Sequence, residues 1–576
     1  MKESYVLHPA LLAANQAMEK VSICIRDKKS FVLEAGAGAG KTHTLIHTLK
    51  QVVEVDGEIF VRNKQKIACI TYTNVAREEI ESRTDHHPAI FTATIHAFCW
   101  SLIKDYQTRL RNHLYLLEKW PQRLEEIDNI ASYIISYDLG IPKVKDKQIM
   151  LGHNDVISLT ILMLDDLKFR KIFINRYPIL FIDEYQDTDK HFVEALTTHF
   201  LDNENRLLLG LFGDPWQKIY PSGCGKVEHQ NLEEIGKRAN FRSSTKIVES
   251  LNRIRPELTQ EVCDTENHGE VSIFHSNAWV GNRRTDGHWK DDLPSEIAQY
   301  YLERTKNELI KAGWDFSPEK TKILMLTHNL LAQEQGYRNL AEVFPRNELF
   351  IKKEDPYIAF FVEILEPFCI AYENRKFGEM SKLLGGNIPL IRSHKDKEKR
   401  AMQMKELLSI RSRGSVGMVI DHLLKVSYPP LTENVQSLEE LFKSTEELTG
   451  SQNELMERIK KLKEISYQEV VALAQFIEDK TPFATKHGVK GAEFENVLVV
   501  LGRGWNLYNY SQMLEYAVIG PPPDKRDNFE RNRNLFYVAC SRPKVRLALL
   551  FTQKLSDVAL NTLEAWFGSE TIVSLQ

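Results

Sequence analysis

The stretch Phe31-Val32-Leu33-Glu34-Ala35-Gly36-Ala37-Gly38-Ala39-Gly40-Lys41-Thr42 decides how this chain is read. A mostly apolar run gives way to a turn in which glycine alternates with alanine, closes on Gly-Lys-Thr, and continues into helix-forming residues. That order predicts a buried strand, a phosphate cradle and a helix. Glycine lets the backbone wrap closely enough for several N–H groups to face one anion, and the following helix adds the positive end of its dipole. Lys41 then reaches the β- and γ-phosphates of a nucleoside triphosphate, while the Thr42 hydroxyl ligates Mg2+. Ala35 stands where the usual pattern opens with glycine, so the cradle runs from Ala35 through Gly36, Ala37, Gly38, Ala39 and Gly40 to Lys41 and Thr42.

The rest of the sequence narrows the class. At 576 residues the chain is too long for one core and implies several structural units. Hydrophobic content of 43% and charged content of 27% are those of an ordinary globular protein, and a net charge of −4 leaves nucleic-acid binding to local patches. The 7 cysteines are scattered without a C-x-x-C pair, which argues against a disulfide framework, a zinc ribbon or an iron–sulfur cluster. The sequence opens without a signal-peptide pattern, and no apolar run approaches the roughly 20 residues that span a bilayer, so the expectation is a cytoplasmic protein with no membrane partner.

A nucleotide hydrolase needs a second element for Mg2+ and water. Tyr177-Pro-Ile-Leu-Phe-Ile182-Asp183-Glu184-Tyr-Gln-Asp-Thr188 supplies it: a buried strand with two carboxylates at its C-terminal end, where α/β sheets place ligands. Asp183 is expected to hold Mg2+ through water, and Glu184 to polarise the attacking water as general base. A third strand, Leu207–Phe212, ends in Gly213-Asp214-Pro215-Trp216-Gln217, and the Gln217 amide suits sensing of the γ-phosphate. Farther on, Arg242 and Arg542 are placed to act as arginine fingers, neutralising charge that develops in the transition state.

Other segments recur in a familiar order: Ile70-Thr71-Tyr72-Thr73-Asn74, Thr92-Ala-Thr94-Ile95-His96-Ala97-Phe98-Cys99, Asn240-Phe241-Arg242-Ser243, Thr485-Lys-His487-Gly-Val-Lys490-Gly491-Ala-Glu493-Phe494 and Leu535-Phe536-Tyr537-Val538-Ala539-Cys540-Ser541-Arg542. Together with the phosphate cradle, the Asp-Glu element and the Gln217 element, this series resembles superfamily 1A DNA helicases of the UvrD, Rep and PcrA group over nearly the whole chain. The resemblance implies an α/β fold of two RecA-like lobes, parallel sheets flanked by helices, each with a mainly helical insertion, and ATP with Mg2+ between them. It implies hydrolysis of ATP coupled to 3′-to-5′ movement on single-stranded or tailed DNA. Tyr72 would then stack on a base, with Thr71, Thr73, Asn74, His96, Phe98, Thr485 and His487 along the strand. Gly491 and Glu493 would join the nucleotide site, Phe241 would replace the tyrosine stacked on adenine, and Gln16 would read the base.

Departures from the family pattern carry information. After Tyr220 the family has an aromatic and an R-G-A segment that stacks a base, whereas this chain has Pro221-Ser-Gly-Cys-Gly-Lys226. Trp216 is either a substitute platform or a core residue. The expected organisation is a first lobe from residues 1–99 and 171–245 with an insertion at 100–170, and a second from 246–351 and 481–576 with an insertion at 352–480. Helices are expected over Leu114–Ile130 and Val156–Leu167 in the first insertion. In the second they are expected over Val435–Leu448 and Leu455–Ile465. A basic stretch from Arg392 to Arg413 is read equally as a duplex-DNA contact or a solvated helix face. The stretch after Arg542 is short for a nuclease domain, so this chain is not expected to cut DNA. Compact insertions and Leu326-Thr-His-Asn-Leu-Leu-Ala332 resemble the helicase-like subunit of Gabija anti-phage defence, which works with a separate nuclease subunit. Motor, DNA-bound ATPase sensor and nucleotide-free scaffold are the competing functions, and the complete set of catalytic residue types disfavours the last.

Overall fold

The computed structural model describes residues 8–575 except 126, 128, 138–141, 146, 203–206, 219–221, 286, 288, 326–334, 346–347, 352, 385–392, 444–449, 478–482, 486–492 and 504–507. Helix α1 (Pro9–Arg26) leads into β1 (Phe31–Ala35), and helix α2 (Lys41–Arg62) follows the glycine turn. Strand β2 (Ile67–Thr71), helix α3 (Asn74–Arg83), strand β3 (Ile90–Thr94) and helix α4 (Ile95–Ile103) come next. Strands β4 (Ile134–Ser136), β5 (Lys143–Lys145) and β6 (Gln148–Met150) form a small separate sheet. The chain then returns through β7 (Ile179–Asp183), β8 (Leu208–Gly213) and β9 (Glu233–Lys237). The first large sheet has the order β3-β2-β7-β8-β1-β9, and every pairing in it is parallel. Its central strands are apolar on both faces, as a parallel sheet covered by helices requires.

After a short pair, β10 (Ala239–Asn240) with β11 (Glu261–Val262), a second sheet uses β12 (Glu270–His275), β13 (Thr321–Met325), β14 (Phe483–Thr485), β15 (Phe494–Leu501), β16 (Pro543–Phe551) and β17 (Ile572–Ser574). Its order is β14-β13-β15-β16-β12-β17, again parallel throughout. The molecule is therefore α/β, with two parallel sheets flanked by helices, consistent with two RecA-like lobes. Between β13 and β14 the described residues are helical, from Pro356–Phe360 to Tyr467–Ile477 and including the basic helix His394–Arg413. Their apolar faces share one core with Ile323, Leu498, Val500 and Leu550 of the second sheet.

The segment before β7 departs from the sequence expectation. Among the described residues, the run Leu114–Ile130 does not form a continuous helix: one helix ends at Leu114, and the single turn Trp120–Arg123 follows. Leu114, Trp120, Leu124 and Ile130 are buried as the apolar pattern required, but around irregular turns. Pro121 has no N–H and cannot sit inside a continuous ladder. The β4–β6 sheet was also not expected in a helical insertion. Among the described residues, no helix is long and apolar enough to cross a membrane.

Candidate active site

Three neighbouring strands, β7, β8 and β1, end side by side, so the loops after them share one edge of the first sheet. Parallel α/β sheets bind ligands at that edge. After β1 the chain turns through Gly38 and Gly40, both at positive φ (74° and 71°), and Gly40 caps α2. A side chain on Gly38 would come within 2.7 Å of Asn240 Oδ1 and 2.8 Å of Arg242 Cβ. The first turn of α2 carries N–H groups with no partner inside the helix, an arrangement suited to an anion. The loop is held from outside. Asn240 Nδ2 and Gln260 Nε2 both donate to the Ala37 carbonyl, each at 3.1 Å.

Lys41 Nζ sits 3.5 Å from the Ala35 carbonyl and 4.0 Å from Glu184 Oε1. Asp183 is buried at the end of β7, and Glu184 follows with φ at 50°, an uncommon backbone for a residue other than glycine. Gln186 Nε2 donates to Glu184 Oε2 at 2.6 Å, while its own Oε1 accepts from the Asp214 N–H at 3.0 Å. That amide fixes the general-base candidate relative to the loop after β8. The packing leaves no slack, since a Cβ on Gly213 would lie 2.3 Å from Gln186 Oε1. Thr42 and Asp183 offer the hard oxygen donors that suit Mg2+, which takes most of its ligands from phosphate and water.

Asp214 is the hub of the loop after β8. Arg255 Nη1 donates to its Oδ1 at 2.6 Å and Gln217 Nε2 to its Oδ2 at 2.8 Å. Gln217 in turn accepts from Arg542 Nη2 at 3.1 Å. Arg542 follows the helix Arg526–Cys540 of the second lobe and is only 1% exposed. Burial, with Arg242 beside it, pulls its pKa down to about 9, while Glu184 favours its charge. The Gln217–Arg542 contact thus brings a cation of one lobe onto the polar loop of the other. Arg242 lies near the glycine turn and donates to Glu493 Oε1 (3.0 Å) and the Ser541 carbonyl (3.1 Å). Glu493 also pairs with Lys544 at 3.2 Å; burial opposes its ionisation, but these two cations hold its pKa below the ordinary value.

Trp216 is partly buried and packs against the hydrophobic core of the second lobe, closer to the core alternative than to an open platform. Its indole carries the Arg533 guanidinium at 3.9 Å and meets Tyr537 edge-on at 5.4 Å, both from the second lobe. Asn534 Nδ2 adds bonds to the carbonyls of Pro215 (3.1 Å) and Lys218 (3.3 Å). Trp216 is a lobe-to-lobe stack.

Phe241 is 41% exposed, with its N–H donating to the Gly38 carbonyl at 2.9 Å, so a π-face is open beside the cradle. Gln16 is exposed on α1 and lines a groove of about 730 Å3 with Gly236, Arg238 and Glu261, a lining that includes neither the glycine turn nor Phe241. Ala10 and Ala14 make the α1 face that packs on Ala239, and Gln16 lies off that face.

At the far end of the same sheet edge, Tyr72 (40% exposed), Thr73 and Asn74 emerge after β2. Thr71 is buried and donates to the Thr73 carbonyl at 3.1 Å, so it shapes the turn. Phe98 corrects the sequence reading: it is 0% exposed, among the rings of Phe91, Phe173 and Tyr177. His96 is half-buried against His153 with ring centroids 4.7 Å apart, and burial followed by His153 pushes its pKa down to about 4. Thr485 ends β14 opposite Met325, while His487 and Gly491 lie outside the described residues. Gln186, Asn240, Gln260 and Arg255 were not assigned roles from sequence; Gln186 and Asn240 stand inside quoted motifs, whereas Gln260 and Arg255 stand outside them and meet Ala37 and Asp214 from distant stretches of chain.

Two family models match this chain: one described as an AAA domain over residues 19–222, the other as the UvrD-like helicase C-terminal domain over residues 346–554. The chain belongs to the UvrD-like helicases. It is similar to Gabija protein GajB of Bacillus cereus strain HuB5-5, at 25% identity over 95% of this chain and 97% of that protein. It is also similar to the ATP-dependent DNA helicase PcrA of Staphylococcus epidermidis strain RP62A, at 22% identity over 52% of this chain and 44% of that one. A match to the RecBCD enzyme subunit RecB of Buchnera aphidicola from Acyrthosiphon pisum is 33% identical over 19% of this chain and 10% of that protein. This UvrD-like chain is accordingly a helicase-like ATPase, of a family that uses ATP with Mg2+.

Proposed function

We propose that this UvrD-like chain hydrolyses ATP in the cleft between its lobes and uses the resulting movement to travel 3′ to 5′ on single-stranded DNA. The observation that carries the reading is Arg542 of the second lobe donating to Gln217 of the first at 3.1 Å. A γ-phosphate seated beside Gln217 would draw the lobes together, and its loss would release them. That is how chemistry becomes movement.

The cradle from Gly36 to Thr42 takes the outer phosphates, with Lys41 as their cation. Glu184, oriented by Gln186, accepts a proton from the attacking water. Gln217 aligns that water, and Arg542 and Arg242 stabilise the charge that develops on the transferred phosphoryl group. Mg2+, when bound, would sit at Thr42 and Asp183 and neutralise phosphate charge. Tyr72, Thr73, Asn74 and His96, on the distal half of the sheet edge, serve the DNA strand, the tyrosine by stacking. Phe241 serves the base of the nucleotide.

A second reading is a DNA-dependent ATPase sensor that recognises ends or single strands and activates a partner nuclease. It is favoured by the match to Gabija protein GajB over nearly the full length of both chains, and by the segment after Tyr220 that lacks the family's R-G-A stacking element.

ATPase turnover with and without single-stranded DNA, in wild type, Lys41→Ala and Glu184→Gln, tests the shared core of both readings. Both substitutions are expected to abolish turnover, and robust hydrolysis by Glu184→Gln would remove the general base assigned here. Displacement of a 3′-tailed but not a 5′-tailed duplex supports the motor. Active hydrolysis without displacement supports the sensor.

A further inference from the structure

The last residue of β9, Lys237, is 2% exposed and pairs in register with Ala35, where the phosphate turn begins. Its ammonium donates to Thr44 Oγ1 at 2.8 Å and to the Gly40 carbonyl at 3.3 Å, and lies 5.8 Å from the centre of the Phe241 ring. Among the described residues no carboxylate forms an ion pair with it, and burial pushes its pKa down to about 8. A buried cation facing only neutral partners is costly to keep.

Nothing around Lys237 requires a cation for the sake of the fold. The Gly40 carbonyl already accepts from the Thr44 N–H (3.1 Å) and from the Thr44 hydroxyl (3.2 Å). A leucine or methionine could brace β9 against α2 without desolvating a charge.

The surroundings of Gly40 supply a reason for it. A side chain on Gly40 would point to within 3.7 Å of Lys237 Nζ, 3.8 Å of His43 Cβ and 4.0 Å of Phe241 Cδ2. With glycine there, that volume is open, bordered by an ammonium, a histidine and a π-face. It lies between the N–H cradle for the outer phosphates and the ring offered to a base. In a nucleotide, the group between the outer phosphates and the nucleoside is the α-phosphate.

We propose that Lys237 is a nucleotide-binding residue that neutralises the α-phosphate, exchanging its neutral contacts with Thr44 and Gly40 for that anion. This rests on the ATPase reading above and adds to it a cation outside the helicase motifs, shared by ATP and ADP. Because both nucleotides carry an α-phosphate, the contact acts on binding and leaves the hydrolytic step alone.

The test uses the full chain and compares wild type with Lys237→Met and Lys237→Arg. Binding of MgADP is measured by calorimetry, kcat and KM for ATP with saturating single-stranded DNA, and unfolding by thermal melt. In Lys237→Met, MgADP affinity should weaken on the order of 10–100-fold, the value of a charge-assisted contact. KM for ATP should rise by a similar factor, with kcat within about threefold of wild type. Lys237→Arg should recover most of the affinity, and Lys237→Met should melt no lower than wild type because it removes a buried charge. MgADP affinity within about twofold of wild type in Lys237→Met overturns the proposal. So does weakened binding that Lys237→Arg fails to restore while both variants melt early, since that is a structural brace. Failure of wild type to bind MgADP at all would instead sink the ATPase reading itself.

Discussion

Replacing Arg542 with methionine separates chemistry from architecture. The side chain is about as long but carries no charge and no donor. In the structure the guanidinium bonds to the Val538 carbonyl (3.1 Å) and to Gln217 Oε1 (3.1 Å). The Val538 carbonyl keeps the Ser541 hydroxyl at 2.9 Å, so the substitution leaves one acceptor, Gln217 Oε1, short of a donor. That omission costs about 1–3 kcal/mol. Removing a cation buried against neutral acceptors returns a comparable amount, since effective desolvation penalties are several kcal/mol per ion. The two nearly cancel, and the melting temperature should stay within a few degrees of wild type. The chemical step has no such offset. Loss of an arginine finger costs on the order of 10³-fold in rate, or about 4 kcal/mol of barrier. The assay is DNA-stimulated ATPase at saturating ATP, with MgADP binding and a thermal melt on the same preparations. Turnover should fall about a thousandfold while MgADP affinity stays within about threefold, because ADP lacks the phosphate that Arg542 is assigned to. Turnover within tenfold of wild type, or equal losses of turnover and ADP binding, would refute the finger role.

Trp216→Ala removes the Arg533 stack and the Tyr537 edge contact between lobes; chemical denaturation should show a loss of about 2–4 kcal/mol, with DNA stimulation of ATPase reduced. Tyr72→Ala should weaken single-stranded DNA binding by about 1–3 kcal/mol with unchanged stability, whereas Phe98→Ala should lower stability by about 3–5 kcal/mol, read by DNA titration and urea midpoint. His96 has a folded pKa of about 4 against an ordinary 6.5, so between those values the unfolded chain binds a proton that the folded chain does not. Stability should therefore fall as pH drops from 6.5 towards 4, by less than about 1 kcal/mol per unit after allowance for partial exposure, and His96→Asn should flatten the decline of the urea midpoint.

What could be read from sequence follows the physics of each feature. Asp183, Glu184 and Gln217 stand in contiguous runs where an apolar strand ends in a polar loop, and such runs declare both the strand and the edge at which it stops. Side-chain direction within a turn is not written that way. Thr71 and Tyr72 are adjacent, yet one is buried and the other exposed, and Phe98 sits two residues from His96 but faces the core. Strands β4–β6 have three residues each, too few for alternation to register, and Pro121 broke a run whose apolar spacing suited a helix. Gln260 and Arg255 become visible only in three dimensions, because their partners, Ala37 and Asp214, come from distant stretches of chain. Gln16 shows the same limit: α1 packs Ala10 and Ala14 on Ala239 and leaves Gln16 exposed, an orientation that the residue type alone does not declare.

The amides of Asn240 and Gln260 grip the carbonyl of Ala37 from beyond residue 222, where the AAA match ends, and the outermost strand β9 also lies past that point. A recombinant piece trimmed to residues 19–222 would therefore keep the glycine-rich loop while losing its two external clasps and the border of its sheet. The loop proposed to hold phosphate is not a detachable module, and dividing the gene by sequence homology would cut through the contacts that brace it.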